Sequence, residues 1–259
     1  MLNSKSPRLV ISGTYSTGKT TTATALSIAT GIPLINALSA REILTSLYPG
    51  RRFQDMTAEE LMALGLKRFE ERIRAEAVTY QAGKGFISDG SVLNELIYGT
   101  VRMKVGINPG STWPHRVAKA IMGIPFKPFM KKYLSSYETV VNQHTQEWYS
   151  DVVHLPVEFA MDPDGHRPVS EEYRQLSDQE ILKSFRQIGF EPKLVSGTIE
   201  HRLATIIKLY HLPQEMELSK AIEQAQEQIA KNRESVAKRI IEQYHEPTLR
   251  EKISLMMKY

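Results

Sequence analysis

Residues 8–22 read Arg-Leu-Val-Ile-Ser-Gly-Thr-Tyr-Ser-Thr-Gly-Lys-Thr-Thr-Thr, and this stretch constrains the fold more than any other. Leu9, Val10 and Ile11 form a short unbroken apolar run, which suits a strand buried on both faces, as in a parallel sheet between helices. The run leads into Gly13-x-x-x-x-Gly18-Lys19-Thr20, a complete P-loop pattern, and then into a helix start. Each position answers a need of a bound polyphosphate: backbone N–H groups approached without an obstructing Cβ, a mobile cation, and a hydroxyl for Mg²⁺. Gly13 and Gly18 meet the first need, Lys19 the second and Thr20 the third, with Thr14, Tyr15, Ser16, Thr17 and Thr21 completing the phosphate-facing stretch. A helix beginning near Lys19 turns the positive end of its dipole toward the same phosphates.

At 259 residues the chain is long enough for one large α/β domain with insertions, or for a domain of about 200 residues with an appendage. With 33 basic against 29 acidic side chains, the net charge of +4 does not by itself imply a nucleic-acid partner, and none is expected. The chain has no cysteine, which excludes disulfides, thiolate metal sites and a thiol nucleophile. The first residues lack the apolar core of a signal peptide, and no apolar run approaches a membrane span. A cytoplasmic protein is expected.

Beyond the P-loop, residues 20–30 read as a helix closed by Gly31 and Pro33, and residues 33–37 as a second strand. Arg41 and Glu42 then open a helix at the carboxyl edge of the sheet, where doubly wound folds bind ligands; a solvated charge pair is the competing reading. Thr57-x-x-Glu60 is a capping box that opens a long helix to about Ala82. Leu61, Leu64, Phe69, Ile73 and Ala77 form its apolar side, and Lys67, Arg68, Arg72 and Arg74 are placed on its wet side, with reach of one of them to a ligand as the alternative. Gly85-Phe-Ile-Ser is a third strand running into Asp89-Gly90-Ser91. An acid at that edge can hold Mg²⁺ through water, take a proton from an attacking hydroxyl, or simply cap the helix from Val92 to Tyr98.

Residues 101–137 are basic, aromatic and interrupted by proline, with no acidic residue. The segment reads as a cap that contacts an anionic substrate; an anionic lipid surface or RNA is the alternative partner for such a composition. A helix over 138–149 and a strand from Asp151 follow. A polar loop from Glu158 then carries Arg167 and Arg174 toward a helix over 177–188, so residues 158–176 are expected to act as a lid. Lys193-Leu-Val-Ser is a fifth strand, and a helix from Gly197-Thr-Ile-Glu-His-Arg runs to about Leu209. Five short strands separated by helices predict a three-layer α/β fold with a parallel sheet. Residues 1–213 are read as the nucleotide-binding domain, and residues 214–259 as an amphipathic helical extension that packs on its own domain, in a monomer or dimer.

Taken together, these pieces resemble the kinase-like branch of P-loop proteins. That branch holds the thymidylate and deoxynucleoside kinases, and the AAA-type ATPase domain family related to the nicotinamide riboside kinase domain of NadR. The resemblance spans about Leu9 to Leu209. It implies a sheet order of 2-3-1-4-5, with ATP and Mg²⁺ as cofactors. Asp89 matches the acid that ends the strand in that group, whereas Gly90 stands in the place of the group's following arginine. Arg41 is similar to the arginine facing the phosphoryl acceptor, Arg167 or Arg174 to the lid arginine, and Gly197 with Arg202 to the loop that packs on the purine base. No arginine finger or sensor arrangement of a ring-forming motor is read in the sequence. Two functions are expected from this set: transfer of the γ-phosphoryl group of ATP to a small acceptor under the basic cap, or a nucleotide-dependent switch for a lipid or protein partner.

Overall fold

The structure is a computed structural model that describes residues 7–36, 38, 40–51, 56–83, 85–105, 127–158 and 170–243. Strand β1 (Arg8–Ser12) is followed by helix α1 (Lys19–Thr30), β2 (Leu34–Ile35), α2 (Ala40–Leu47), α3 (Ala58–Gln81), β3 (Phe86–Asp89) and α4 (Val92–Val105). Next come α5 (Lys127–Trp148), β4 (Asp151–His154), α6 (Glu171–Gln187), β5 (Lys193–Leu194), α7 (Ile199–Tyr210) and α8 (Leu218–Gln243). The strands form one parallel sheet of order β2-β3-β1-β4-β5.

Alternation along β1 distributes its side chains between two cores. Val10 packs with Phe86, Val92, Leu96, Val141, Tyr173 and Phe185 under α3, α4, α5 and α6. Leu9 and Ile11 face the opposite way, onto Leu26 of α1, Leu203 and Ile206 of α7 and Ala225 of α8. Helices on both faces explain why the strand sequence is an apolar run instead of an alternating one. The C-terminal helix is held at its start, where the N–H groups of Glu215 and Met216 donate to the carbonyl of Ala29, and small residues Ala221 and Ala225 are buried.

Several elements differ from the sequence reading. Helix α6 begins at Glu171, not at 177, because Ser170 accepts from the Tyr173 N–H and two glutamates occupy the first turn. Helix α4 continues past Tyr98 to Val105, and α5 already starts at Lys127. Strand β2 is cut to two residues because only Leu34 and Ile35 pair with β3. The capping box at Thr57 and Glu60 is present with both of its bonds. Residues 106–126 of the basic segment, 159–169 of the expected lid and 244–259 lie outside the described residues. Among the described residues no helix is long and apolar enough to cross a membrane.

Candidate active site

Pairing of Ile11 with Asp89, and of Ser12 with His154, brings the ends of β3, β1 and β4 to one edge of the sheet. Residues 13–18 loop out of that edge and return as α1. Gly13 has φ 143°, and a Cβ there would lie 2.7 Å from both the Leu155 carbonyl oxygen and Thr17 Oγ1, so no side chain fits. Ser16 sits at φ 58°, a left-handed conformation that costs a non-glycine residue about 1 kcal/mol or more and concentrates at ligand sites. Thr17 Oγ1 donates to the Thr14 carbonyl at 3.0 Å, and Lys19 Nζ to the same oxygen at 2.5 Å.

Helix α1 differs from its neighbours at its first turn. Helices α3, α6 and α7 satisfy their leading N–H groups with Thr57, Ser170 and Thr198 and carry glutamates in the first turn. The α1 N-cap is Gly18, which brings no side-chain acceptor, and its first turn has no acid. The positive end of this helix is thus left for an external anion.

Across the edge, Thr20 Oγ1 donates to Asp89 Oδ2 at 2.7 Å. This joins the hydroxyl of the P-loop helix to the acid that ends β3, two residues separated by 69 positions in sequence. Behind the loop, Tyr98 OH and Asn94 Nδ2 both donate to the Gly13 carbonyl, at 3.0 and 3.4 Å. Burial first, and then the neighbouring Tyr15 and Tyr173, push the Tyr98 phenol well above its ordinary range, so it remains a donor. Tyr15 packs on Tyr98 and Tyr173 with ring centroids 4.5 and 6.0 Å apart.

Two arginines hold the loop by its carbonyls: Arg202 from the expected helix after β5, and Arg174 from a place the sequence does not predict. Arg174 was expected on a mobile loop, but it is fully buried on α6, where Nε donates to the Tyr15 carbonyl at 2.9 Å and Nη1 pairs with Glu171. The early start of α6 is the cause. Arg202, 3% exposed, donates from Nη1 to the Thr17 carbonyl at 2.7 Å and from Nη2 to Glu158. The Arg202 head group is thus bound to the phosphate loop and to Glu158. Glu158 Oε1 accepts from the Gly197 N–H at 2.8 Å. That N–H, followed by Arg202, holds the Glu158 carboxyl below its ordinary range against the opposing effect of burial.

Arg72 is the clearest departure. The sequence reading puts it among the wet-side charges of α3, yet it is 4% exposed and reaches the end of β3. Its position was legible: Arg72 lies three residues after Phe69 and one before Ile73, inside the apolar arc of the helix. Lys67 and Arg74 do sit outside, in pairs with Glu70 and Glu71. Arg41 lies on the first turn of α2, but its side chain is outside the described residues, as is Arg167.

This parallel 2-3-1-4-5 sheet, with a glycine loop between β1 and α1 and an acid at the end of β3, defines a kinase-like P-loop NTPase. The AAA domain model matches residues 8–202, and the chain belongs to that family. No curated protein matches the sequence. Among solved structures, the NadR protein in complex with NR is similar at a TM-score of 0.51 and 15% identity, covering 82% of this chain. The chain spans about half the length of that NadR chain, 54%. Deoxyadenosine kinase from M. mycoides with bound dATP has a TM-score of 0.49 and 13% identity, covering 86% of this chain and 99% of that one.

Proposed function

We propose that the protein transfers the γ-phosphoryl group of ATP to a hydroxyl of a small molecule. The observation that carries this reading is the Thr20–Asp89 hydrogen bond, which brings an acid with acceptor-base capability against the phosphate loop. A pure switch has no need of such a base. In this reading the loop backbone of Gly13 to Thr21 and the Lys19 ammonium hold the phosphates. The Gly13 cradle and the uncapped α1 terminus fit that role.

Mg²⁺ fits the Thr20 and Asp89 oxygens, which are the hard donors it prefers. Among the described residues no group of three or more acidic, His or Cys side chains is placed to hold a metal alone, so nucleotide oxygens would complete the shell. When bound, the ion neutralises charge on the phosphate oxygens. Asp89 accepts the proton as the acceptor oxygen bonds to the γ-phosphorus, while the bond from that phosphorus to its bridging oxygen breaks and ADP leaves with the electron pair. Arg174 and Arg202 keep the loop in shape. Residues 158–170 would close over the nucleotide from the Glu158 anchor, with Arg167 as the candidate lid arginine, and Arg41 would face the acceptor.

The test is to incubate the protein with Mg-ATP and pooled nucleosides, vitamins and other hydroxylated metabolites, NR included, and to follow new phosphorylated products by mass spectrometry. Wild type should form a product that Asp89→Asn forms at least about 100-fold more slowly. ATP binding without any product, together with an ordered response of a lipid or protein partner, would favour the switch instead.

A further inference from the structure

The residue after Asp89 is Gly90, so no arginine follows the acid directly in sequence. A guanidinium nevertheless stands beside it. Arg72 Nη2, delivered by α3, lies 3.7 Å from the point a Cβ on Gly90 would occupy. Nη1 donates to Ser88 Oγ at 2.9 Å and to the Gly90 carbonyl at 3.3 Å, and Nη2 donates to the Asp89 carbonyl at 3.1 Å. Nε and Nη2 also reach Glu95 Oε1, at 3.2 and 3.1 Å. Burial acts to lower the Arg72 pKa, but Glu95, Tyr149, Glu76 and Asp89 outweigh it, and the group stays charged.

The turn is held from the other side as well, because the Gly90 N–H donates to the Ile11 carbonyl at 3.0 Å. Residues 88–90 are therefore fixed between β1 and one planar fork. Their backbone sets the direction of the Asp89 Cα–Cβ bond, and that direction decides whether Oδ2 meets Thr20 Oγ1. All three Arg72 nitrogens donate to protein groups, and three of the four acceptors belong to residues 88–90, the turn that carries the Asp89 carboxylate.

We propose that Arg72 is a positioning residue, which holds the β3–α4 turn so that the Asp89 carboxylate is presented beside Thr20 where Mg²⁺ and phosphate meet. This rests on the reading that Thr20 and Asp89 hold the metal together. A lysine cannot replace it, because a single ammonium does not span the four acceptors that the planar fork reaches.

Calorimetry of ATP binding in EDTA and in excess Mg²⁺ tests this without requiring turnover. Arg72→Lys should bind ATP in EDTA like wild type, while the gain in affinity on adding Mg²⁺ falls by about 10- to 100-fold, the usual cost of removing a partner of a metal-holding group. A role in stability alone would lower the melting temperature and leave that gain unchanged, which would overturn the proposal. Ser88→Ala removes one acceptor and no charge, and serves if Arg72→Lys does not fold. It should reduce the gain by about 2- to 10-fold, in line with one lost hydrogen bond, and an unchanged gain would equally overturn the inference. A wild-type protein that binds ATP with no gain from Mg²⁺ would refute the metal-holding reading itself and this inference with it, whereas a normal gain in both variants refutes this inference alone.

Discussion

Replacing Arg202 by methionine keeps most of the buried stem and removes the head group that ties the phosphate loop to the end of β4. Two interactions are lost: the 2.7 Å bond to the Thr17 carbonyl and the pair with Glu158. A hydrogen bond involving a charged group is worth about 1.5–3 kcal/mol. Breaking a buried pair costs about 3–5 kcal/mol, but the Glu158 side chain is 22% exposed and keeps the Gly197 N–H, so the lower part of that range applies. Because the two losses share one guanidinium they do not add in full, and we expect Arg202→Met to lose about 2–4 kcal/mol of unfolding free energy. Glu158→Gln retains an acceptor for Arg202 and should lose about 1 kcal/mol. Urea unfolding of both single variants and the double variant gives the coupling, which should be about 1 kcal/mol or more for groups in direct contact. An Arg202→Met loss below about 0.5 kcal/mol, the range of ordinary surface substitutions, would show that the loop does not depend on this tie.

Other outcomes follow from the same geometry. Lys19→Ala should abolish most Mg-ATP binding measured by calorimetry, and unchanged affinity would remove the central assignment. Asp89→Asn should bind ATP in EDTA like wild type, lose part of the gain in affinity that Mg²⁺ brings, and transfer phosphate about 10²- to 10⁴-fold more slowly; a loss of about 1 kcal/mol in stability with turnover and the Mg²⁺ gain intact would leave it only a capping role. The Glu158 carboxyl has a depressed folded-state pKa, so its stabilising effect is full above the ordinary value of about 4.3 and is lost as pH falls through the lower folded value. Since the Gly197 N–H is the larger cause, Arg202→Met should keep most of this acid dependence, whereas Glu158→Gln should lose it in pH-resolved unfolding. Amide exchange in residues 158–170 should slow when a nonhydrolysable ATP analogue is added, and identical exchange at saturation would rule out lid closure.

The P-loop, the five strands and the parallel α/β class were legible in the sequence because each depends on local chemistry. The apolar run of Leu9 to Ile11, the spacing from Gly13 to Thr20 and the capping box at Thr57 need only a few neighbouring residues to state their case. Local pattern places Arg72 within the apolar arc of its helix, but it does not decide which groups a buried guanidinium meets, nor that Arg174 and Arg202 face inward. Arg174 looks in sequence like a lid arginine and Arg202 like a loop-facing one, yet both, like Arg72, are at least nine-tenths buried. Their placement depends on carbonyls and carboxylates brought from distant segments: Tyr15 lies 159 residues from Arg174, and Thr17 lies 185 residues from Arg202. A buried guanidinium is tolerated only where such partners converge, and that convergence is a property of the assembled sheet edge, which the sequence of any one segment does not contain.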